Sequence, residues 1–295
     1  MIVVASPAVV REIMRRHGIS PRKSLGQNFL IDLNIIDKII KAADLTPADL
    51  VVEIGPGLGA LTARAAARAG KVLAVEVDRG LLPALAEVLE GAGNVEIIRG
   101  DALDVDFDRL AGEKTDGAFG RGGKKYKLLA NLPYYLTGPL LLRLLLERFN
   151  FALMVVMVQL EVAFRLTASP GTADYGALSV AVQYFTEPKV LFRVPRTVFY
   201  PPPGVDSAVV RLALRPAPAV TVRNEDVFFQ VVRAAFGFRR KTLLNSLAAS
   251  GLGPGREAWL EVLKRAGIDP QRRGETLSLS EFASIADSFL DAGGQ

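Results

Sequence analysis

The segment ANLPYYLTG, Ala130 to Gly138, sets two hydrogen-bond acceptors beside an aromatic face. Asn131 carries a side-chain carbonyl and Leu132 offers a backbone carbonyl; Pro133 fixes the turn through its locked φ, and Tyr134 adds a flat ring. Two acceptors converging on one amine draw its hydrogens to one side and favour a pyramidal nitrogen whose lone pair can attack an electrophile. A ring beside them can stack an extruded base, a contact worth about 1–3 kcal/mol. An adenine N6, whose lone pair is otherwise delocalised into the ring, is a group such a set would activate. The competing reading makes Asn131 a turn cap and the tyrosines core.

The elements that must hold this turn follow from periodicity. From Leu50 onward short apolar runs alternate with helical patterns: DLVVEI, KVLAVEVD, NVEIIRGD, YKLLANL and FALMVVMVQ are strands, separated by stretches such as LGALTARAAARAG and GPLLLRLLLERF. Continuous apolar strands separated by helices predict an α/β, doubly wound, parallel sheet covered on both faces. Beyond them YGALSVAVQYFTE reads as a helix, PKVLFRV as a strand, TVFYPPPGV as a rigid proline segment and DSAVVRLAL as an alternating strand. RPAPA, Arg215 to Ala219, reads as a linker, and the remainder as amphipathic helices. The expected domains are 1–214, with an N-terminal helical segment at 1–48, and a small all-helical domain at 215–295. The Gly- and Lys-rich stretch Ala111 to Lys125 reads as a mobile loop.

Three strand ends define the companion of the turn. EIGPGLGAL places Gly55, Gly57 and Gly59 at alternate positions, which lets the backbone turn tightly and a ligand approach it. Its spacing is not that of a pyrophosphate cradle. Glu76 ends the next strand, where a carboxylate can accept from both hydroxyls of a ribose, and Asp101 ends the third, placed for the exocyclic amine of an adenine. An adenosine ligand without a polyphosphate fits this set, and S-adenosylmethionine is one. The constellation resembles the class I S-adenosylmethionine-dependent methyltransferases, which implies a Rossmann-like seven-stranded sheet with its last strand antiparallel.

Composition narrows the chemistry. The chain has 295 residues, no cysteine and one histidine, His17. Without cysteine there is no thiolate to activate a cytosine ring for C5 methylation, which leaves amine methylation. The single histidine argues against a His-rich metal site and against a Ser-His-Asp hydrolase, and is itself expected to be structural or solvated. No apolar run is long enough to cross a bilayer, so a cytoplasmic protein without membrane partner is expected. A net charge of +5 favours a polyanionic partner, with the charge concentrated in REIMRRHGISPRK and FGFRRKTLLN.

Taken together, SLGQNFLID, EIGPGLGALT, VEVDRGL, GDAL, ANLPYYLTGPLL, LTASPGTADYGALSV, FYPPPGVDSAVVRL and FGFRRKTLLNSL resemble the small-subunit ribosomal RNA adenine dimethyltransferases, from about Ile19 to Leu290. The resemblance implies N6,N6-dimethylation of two adjacent adenosines in the 3′ hairpin loop of 16S rRNA, within the 30S subunit or its precursor. S-adenosylmethionine would be the donor and S-adenosylhomocysteine the product. It also implies Asn28, Leu30, Gly55, Gly57, Glu76, Asp101 and Asn131 as cofactor contacts, and Asn131, Leu132, Pro133 and Tyr134 as the catalytic turn. The basic segments suggest Arg22, Lys23, Arg239, Arg240 and Lys241 as RNA contacts. No metal is implied, and a monomer is the default. Two departures from the pattern are Leu160, where the family usually has lysine, and the longer Ala111 to Lys125 loop. The alternatives are a 23S rRNA adenine methyltransferase of the macrolide-resistance type, against which SAVVRL and RRKTLLN argue, and a 30S assembly factor acting mainly by binding.

Overall fold

The run LVVEI is buried at every position, so both its faces must be covered and its backbone paired on each side. A computed structural model, which describes residues 2–4, 6–22, 25–238, 240–253 and 255–294, shows how this is met. Its strands are β1 (Phe29–Leu30), β2 (Leu50–Ile54), β3 (Lys71–Glu76), β4 (Val95–Arg99), β5 (Tyr126–Asn131), β6 (Phe151–Gln159), β7 (Thr186–Val194), β8 (Phe199–Tyr200) and β9 (Ser207–Leu214). Seven form one sheet in the order β4-β3-β2-β5-β6-β9-β7. The pairs from β4 through β6 are parallel, and β9, the last strand in the chain, joins β6 antiparallel from Leu153↔Ala213 to Gln159↔Ser207. This is the Rossmann-like seven-stranded sheet expected from the sequence.

The proline segment holds more than a rigid turn. Phe199 and Tyr200 pair antiparallel with Leu30 and Phe29 in a separate two-stranded sheet. A strand of two residues is too short to show an alternating period, so only the fold reveals it. The pairing anchors the segment that leads into β1 at the edge of the future site.

One face of the sheet is covered by the helix Leu33–Ala43. Asp32 caps it, its Oδ1 accepting from the Ile35 N–H at 3.1 Å. Its buried stripe of Ile35, Ile36, Ile39, Ile40 and Ala43 joins Val51, Val72, Leu129, Val155 and Val209 of the sheet in one apolar cluster. Each buried isoleucine contributes about 1.5–3 kcal/mol. Where β5 and β6 begin, Tyr126 and Phe151 meet edge to face at 4.7 Å, and Phe107 packs edge to face on Phe149 at 5.3 Å. The Gly- and Lys-rich segment is tied down beside them: Asn150 Nδ2 donates to the carbonyls of Gly120 and Gly123 at 2.7 and 3.1 Å. A side-chain amide from a neighbouring turn supplies the order that composition alone argues against.

The chain divides into two compact units, one of Met1–Ala163 with Pro188–Leu214, the other of Phe164–Glu187 with Arg215–Gln295. A cut at the linker follows the chain, whereas packing assigns Phe164–Glu187 to the later unit. The reason is aromatic: Tyr184 stacks on Phe228 at 4.9 Å and Phe185 on Phe229 at 5.7 Å. From Arg215 on, the described residues form helices and turns and no strand. Trp259 and Phe289 stack at 4.6 Å, and Ser278 with Glu281 forms a capping box at the head of the helix Leu279–Asp291. Among the described residues no helix is long and apolar enough to cross a membrane.

Candidate functional site

Parallel register brings the strand ends to one level. Ile54 pairs with Val75 and with Ala130, Glu76 with Arg99, and Asn131 with Met157. The loops that follow open into a single cleft, and the segment entering β1 closes it from above. All seven expected cofactor contacts, Asn28, Leu30, Gly55, Gly57, Glu76, Asp101 and Asn131, border this cleft, as does Pro133. Gly57 is favoured there: its φ is +58°, which strains other residues, and a Cβ would lie 3.0 Å from the Phe29 ring.

Glu76 is buried, and its carboxylate organises the loop. Oε2 accepts from the Gly57 N–H at 3.2 Å and Oε1 from the Asp78 N–H at 2.8 Å. A carboxylate has about four acceptor positions, so acceptor capacity is left for a ligand. Burial raises its pKa above the ordinary carboxylate value, while the backbone donors pull the other way. Asp101 sits exposed on the rim, its Oδ1 accepting from the Leu103 N–H at 2.9 Å.

The Asn131 side chain is oriented by a bond that admits one arrangement. Its Nδ2 donates to the backbone carbonyl of Asn28 at 3.1 Å. A carbonyl can only accept, so nitrogen must face it, and Oδ1 is left without a protein partner among the described residues. The neighbouring Leu132 N–H is spent on the Met157 carbonyl at 3.0 Å, while the Leu132 carbonyl has no protein partner among the described residues. The Pro133 carbonyl accepts twice, from the Leu136 N–H and from Thr137 Oγ1. The turn therefore carries one open acceptor at the cleft, Asn131 Oδ1, and an unpartnered carbonyl at Leu132, a residue 1% exposed that does not itself border the cleft.

Tyr134 is half-buried and shares a 2.7 Å hydrogen bond with Ser207 Oγ, whereas Tyr135, 52% exposed, borders the cleft. Glu53 is a further lining residue that motif spacing passed over. It is a carboxyl on an otherwise apolar strand, 2% exposed, with an Oε2 that has no hydrogen-bond partner among the described residues. An acid inside DLVVEI was the available signal.

Burial, with the neighbouring charge of Glu76, pushes the Glu53 carboxyl up to about 8. A raised folded-state value means the folded chain holds this proton more tightly than the unfolded one. The stability it contributes is therefore present in full below the ordinary value of 4.5 and is lost as pH rises through about 8. Glu53→Gln removes that slope. Its thermal midpoint should gain on the parent's as pH rises from about 5 to about 9, and a constant difference across that range would uncouple the carboxyl from folding.

Arg22 turns its guanidinium to Asp78 at 3.1 Å, while Lys23 and Arg239 lie outside the described residues. Arg240 and Lys241 are exposed in the second unit, with Lys241 Nζ 4.3 Å from the centre of the Phe238 ring. In the N-terminal helix Pro7–His17, Arg15 pairs with Glu12, and Arg16 and His17 pair with Glu87, the latter at 2.5 Å. His17 is a part-buried hydrogen-bond partner of Glu87 there.

Comparison with known proteins gives a consistent result. Residues 18–289 match the family described as ribosomal RNA adenine dimethylase. A relative from Moorella thermoacetica, named ribosomal RNA small subunit methyltransferase A, is 56% identical over 96% of this chain and 97% of its own. One from Geobacillus thermodenitrificans with the same name is 51% identical, covering 97% of each. Among solved structures, a dimethyladenosine transferase from Plasmodium falciparum is 28% identical, with a TM-score of 0.75 over 90% of this chain and 98% of that one. The 23S rRNA methyltransferase ErmE is 26% identical, with a TM-score of 0.64 over 88% and 99%.

Proposed function

The chain belongs to the ribosomal RNA adenine dimethylase family, and from that membership we propose that it dimethylates N6 of two adjacent adenosines in the 3′-terminal hairpin loop of 16S rRNA. It is an S-adenosylmethionine-dependent rRNA adenine dimethyltransferase, releasing S-adenosylhomocysteine. The relatives named for the small subunit, at 51–56% identity, favour 16S over 23S rRNA as substrate. The reading places the protein in the cytoplasm, acting as a monomer on the 30S subunit or its precursor late in assembly.

The observation that carries it is the Asn131 amide at the cleft, fixed by the Asn28 carbonyl so that its Oδ1 has no protein partner among the described residues. The cleft also fits the donor. Glu76 has acceptor capacity for the ribose hydroxyls, Asp101 for the adenine amine, and the partnerless Oε2 of buried Glu53 suits a cationic ammonium group. Asn28, Leu30, Gly55 and Gly57 would hold the remaining surface. When bound, S-adenosylmethionine supplies an electrophilic methyl group on a sulfonium.

What the chain adds is position. Oxygens of Asn131 and Leu132 accept from the two hydrogens of the target amine, so that its lone pair leaves conjugation with the ring and points into the cleft. Pro133 keeps these acceptors in register, and a tyrosine of the turn supports the extruded base. The methylated amine loses its surplus proton to solvent, so no strong base is needed. Arg240 and Lys241 are the described cations we assign to the RNA backbone, where each neutralised phosphate releases counterions.

The test is to supply labelled S-adenosylmethionine to 30S particles lacking the modification and map the product by mass spectrometry. Dimethyladenosine should appear in the 3′ hairpin of 16S rRNA. Label confined to 23S rRNA would overturn the substrate assignment.

A further inference from the structure

We infer that Asp78 and Gln27 are positioning residues, forming a hydrogen-bonded frame that sets Glu76 and the Asn131 amide in fixed relation; this rests on the methyl-transfer reading above. Asp78 is 6% exposed and two residues beyond Glu76. Its N–H donates to Glu76 Oε1 at 2.8 Å. Its Oδ1 accepts from the Gly80 N–H at 2.9 Å and from Arg22 Nη1 at 3.1 Å, and its Oδ2 from Gln27 Nε2 at 2.7 Å. The next residue after Gln27 is Asn28, whose carbonyl holds Asn131 Nδ2. Gly26 lies against the same turn, where a Cβ would meet Pro133 at 3.6 Å. The bonds run unbroken from Glu76 through Asp78, Gln27 and Asn28 to Asn131.

The polarity of this frame is forced. The Arg22 backbone N–H donates to Gln27 Oε1 at 2.8 Å, so the Gln27 amide cannot flip, and Nε2 must face Asp78. Asp78 must therefore accept at Oδ2. The Arg22 guanidinium also offsets the negative charge of Asp78, which is buried close to that of Glu76. Arg22 thus serves the cleft itself, a role its place in a basic run does not suggest.

Asp78→Asn tests the frame because it sets the Asn Nδ2 against Gln27 Nε2, donor facing donor. Gln27→Glu combined with Asp78→Asn restores the bond between the two side chains with its direction reversed: Asn Nδ2 donates to the new carboxylate, while Glu Oε1 still accepts from the Arg22 N–H. Net charge is unchanged. In steady-state assays on 30S particles, Asp78→Asn should lower kcat about tenfold or more, with little change in KM for the RNA, and the double variant should recover most of the loss. Melting temperature is measured alongside, and if Asp78→Asn does not fold, the near-isosteric Gln27→Met carries the same expected fall in kcat. A kcat within about twofold of the parent in the single variants, or a double variant as slow as Asp78→Asn at equal melting temperature, overturns the frame. Methyl transfer by the parent tests the underlying reading separately, since the frame is judged only on ratios between variants.

Discussion

Asn131→Ala should reduce methyl transfer by about 10²–10³-fold while leaving rRNA binding near the parent's. The side chain contributes one open acceptor, Oδ1, at the end of β5, and its amide nitrogen is already committed to the Asn28 carbonyl. Truncation removes that acceptor and leaves the Leu132 carbonyl to hold the target amine alone. The nitrogen then relaxes toward its conjugated, planar form, and its lone pair returns to the ring. RNA affinity rests mainly on phosphate contacts made by cations elsewhere, so it should not follow. Single-turnover transfer of labelled methyl, with filter binding at matched salt, separates the two. A rate within about tenfold of the parent would remove Asn131 from the chemistry. A variant that is inactive yet still supports subunit assembly in cells would give the protein a binding role beside its catalytic one. Asn131→Asp sharpens the test: it keeps an acceptor, but sets a carboxylate oxygen against the Asn28 carbonyl, so the side chain must turn away and the rate should fall as well.

The cleft was legible in the sequence to the extent that its residues terminate strands. Gly55, Glu76, Asp101 and Asn131 end apolar runs whose register in a parallel sheet is nearly level, so finding the runs locates the residues. The pieces that are not strand ends were harder. Gln27 and Asp78 meet at a separation of 51 residues, and no local pattern ties an amide to a distant carboxylate. Arg22 looked like one more charge in a basic run, and its partner is likewise set by the return of the chain over β3. The hydrogen bond that holds Tyr134, to the Ser207 hydroxyl, was hidden as well, because Ser207 opens β9, two strands away from β5 in the sheet. Phe164–Glu187 looked continuous with the sheet domain because it precedes the linker, whereas ring stacking places it with the later helices.

Glu76→Ala should weaken donor binding by at least about a hundredfold. Hydrogen bonds to a charged acceptor are worth about 1.5–3 kcal/mol each, and two ribose hydroxyls would lose theirs together. The loop would loosen as well, because the Gly57 and Asp78 N–H groups lose their shared acceptor. Glu76→Gln separates the causes: it keeps one oxygen for one of these N–H groups and turns an NH₂ toward the other, so the loop and the ligand compete for a single acceptor. The pH dependence gives an independent signature. Burial holds the Glu76 carboxyl above its ordinary value of 4.5, so the stability it gives the ligand-free chain is complete below that value and declines as pH rises through the folded-state value. Donor affinity must run the opposite way, because a hydroxyl donates well to the carboxylate and poorly to the protonated acid. Isothermal titration with S-adenosylhomocysteine should therefore show binding strengthen as pH rises, and Glu76→Gln should flatten that curve and remove Glu76's share of the fall in ligand-free melting temperature, leaving the share of Glu53. Affinity independent of pH through the folded-state value, with the parent folded throughout, would mean that the ribose is held by other groups and that Glu76 serves only the glycine turn.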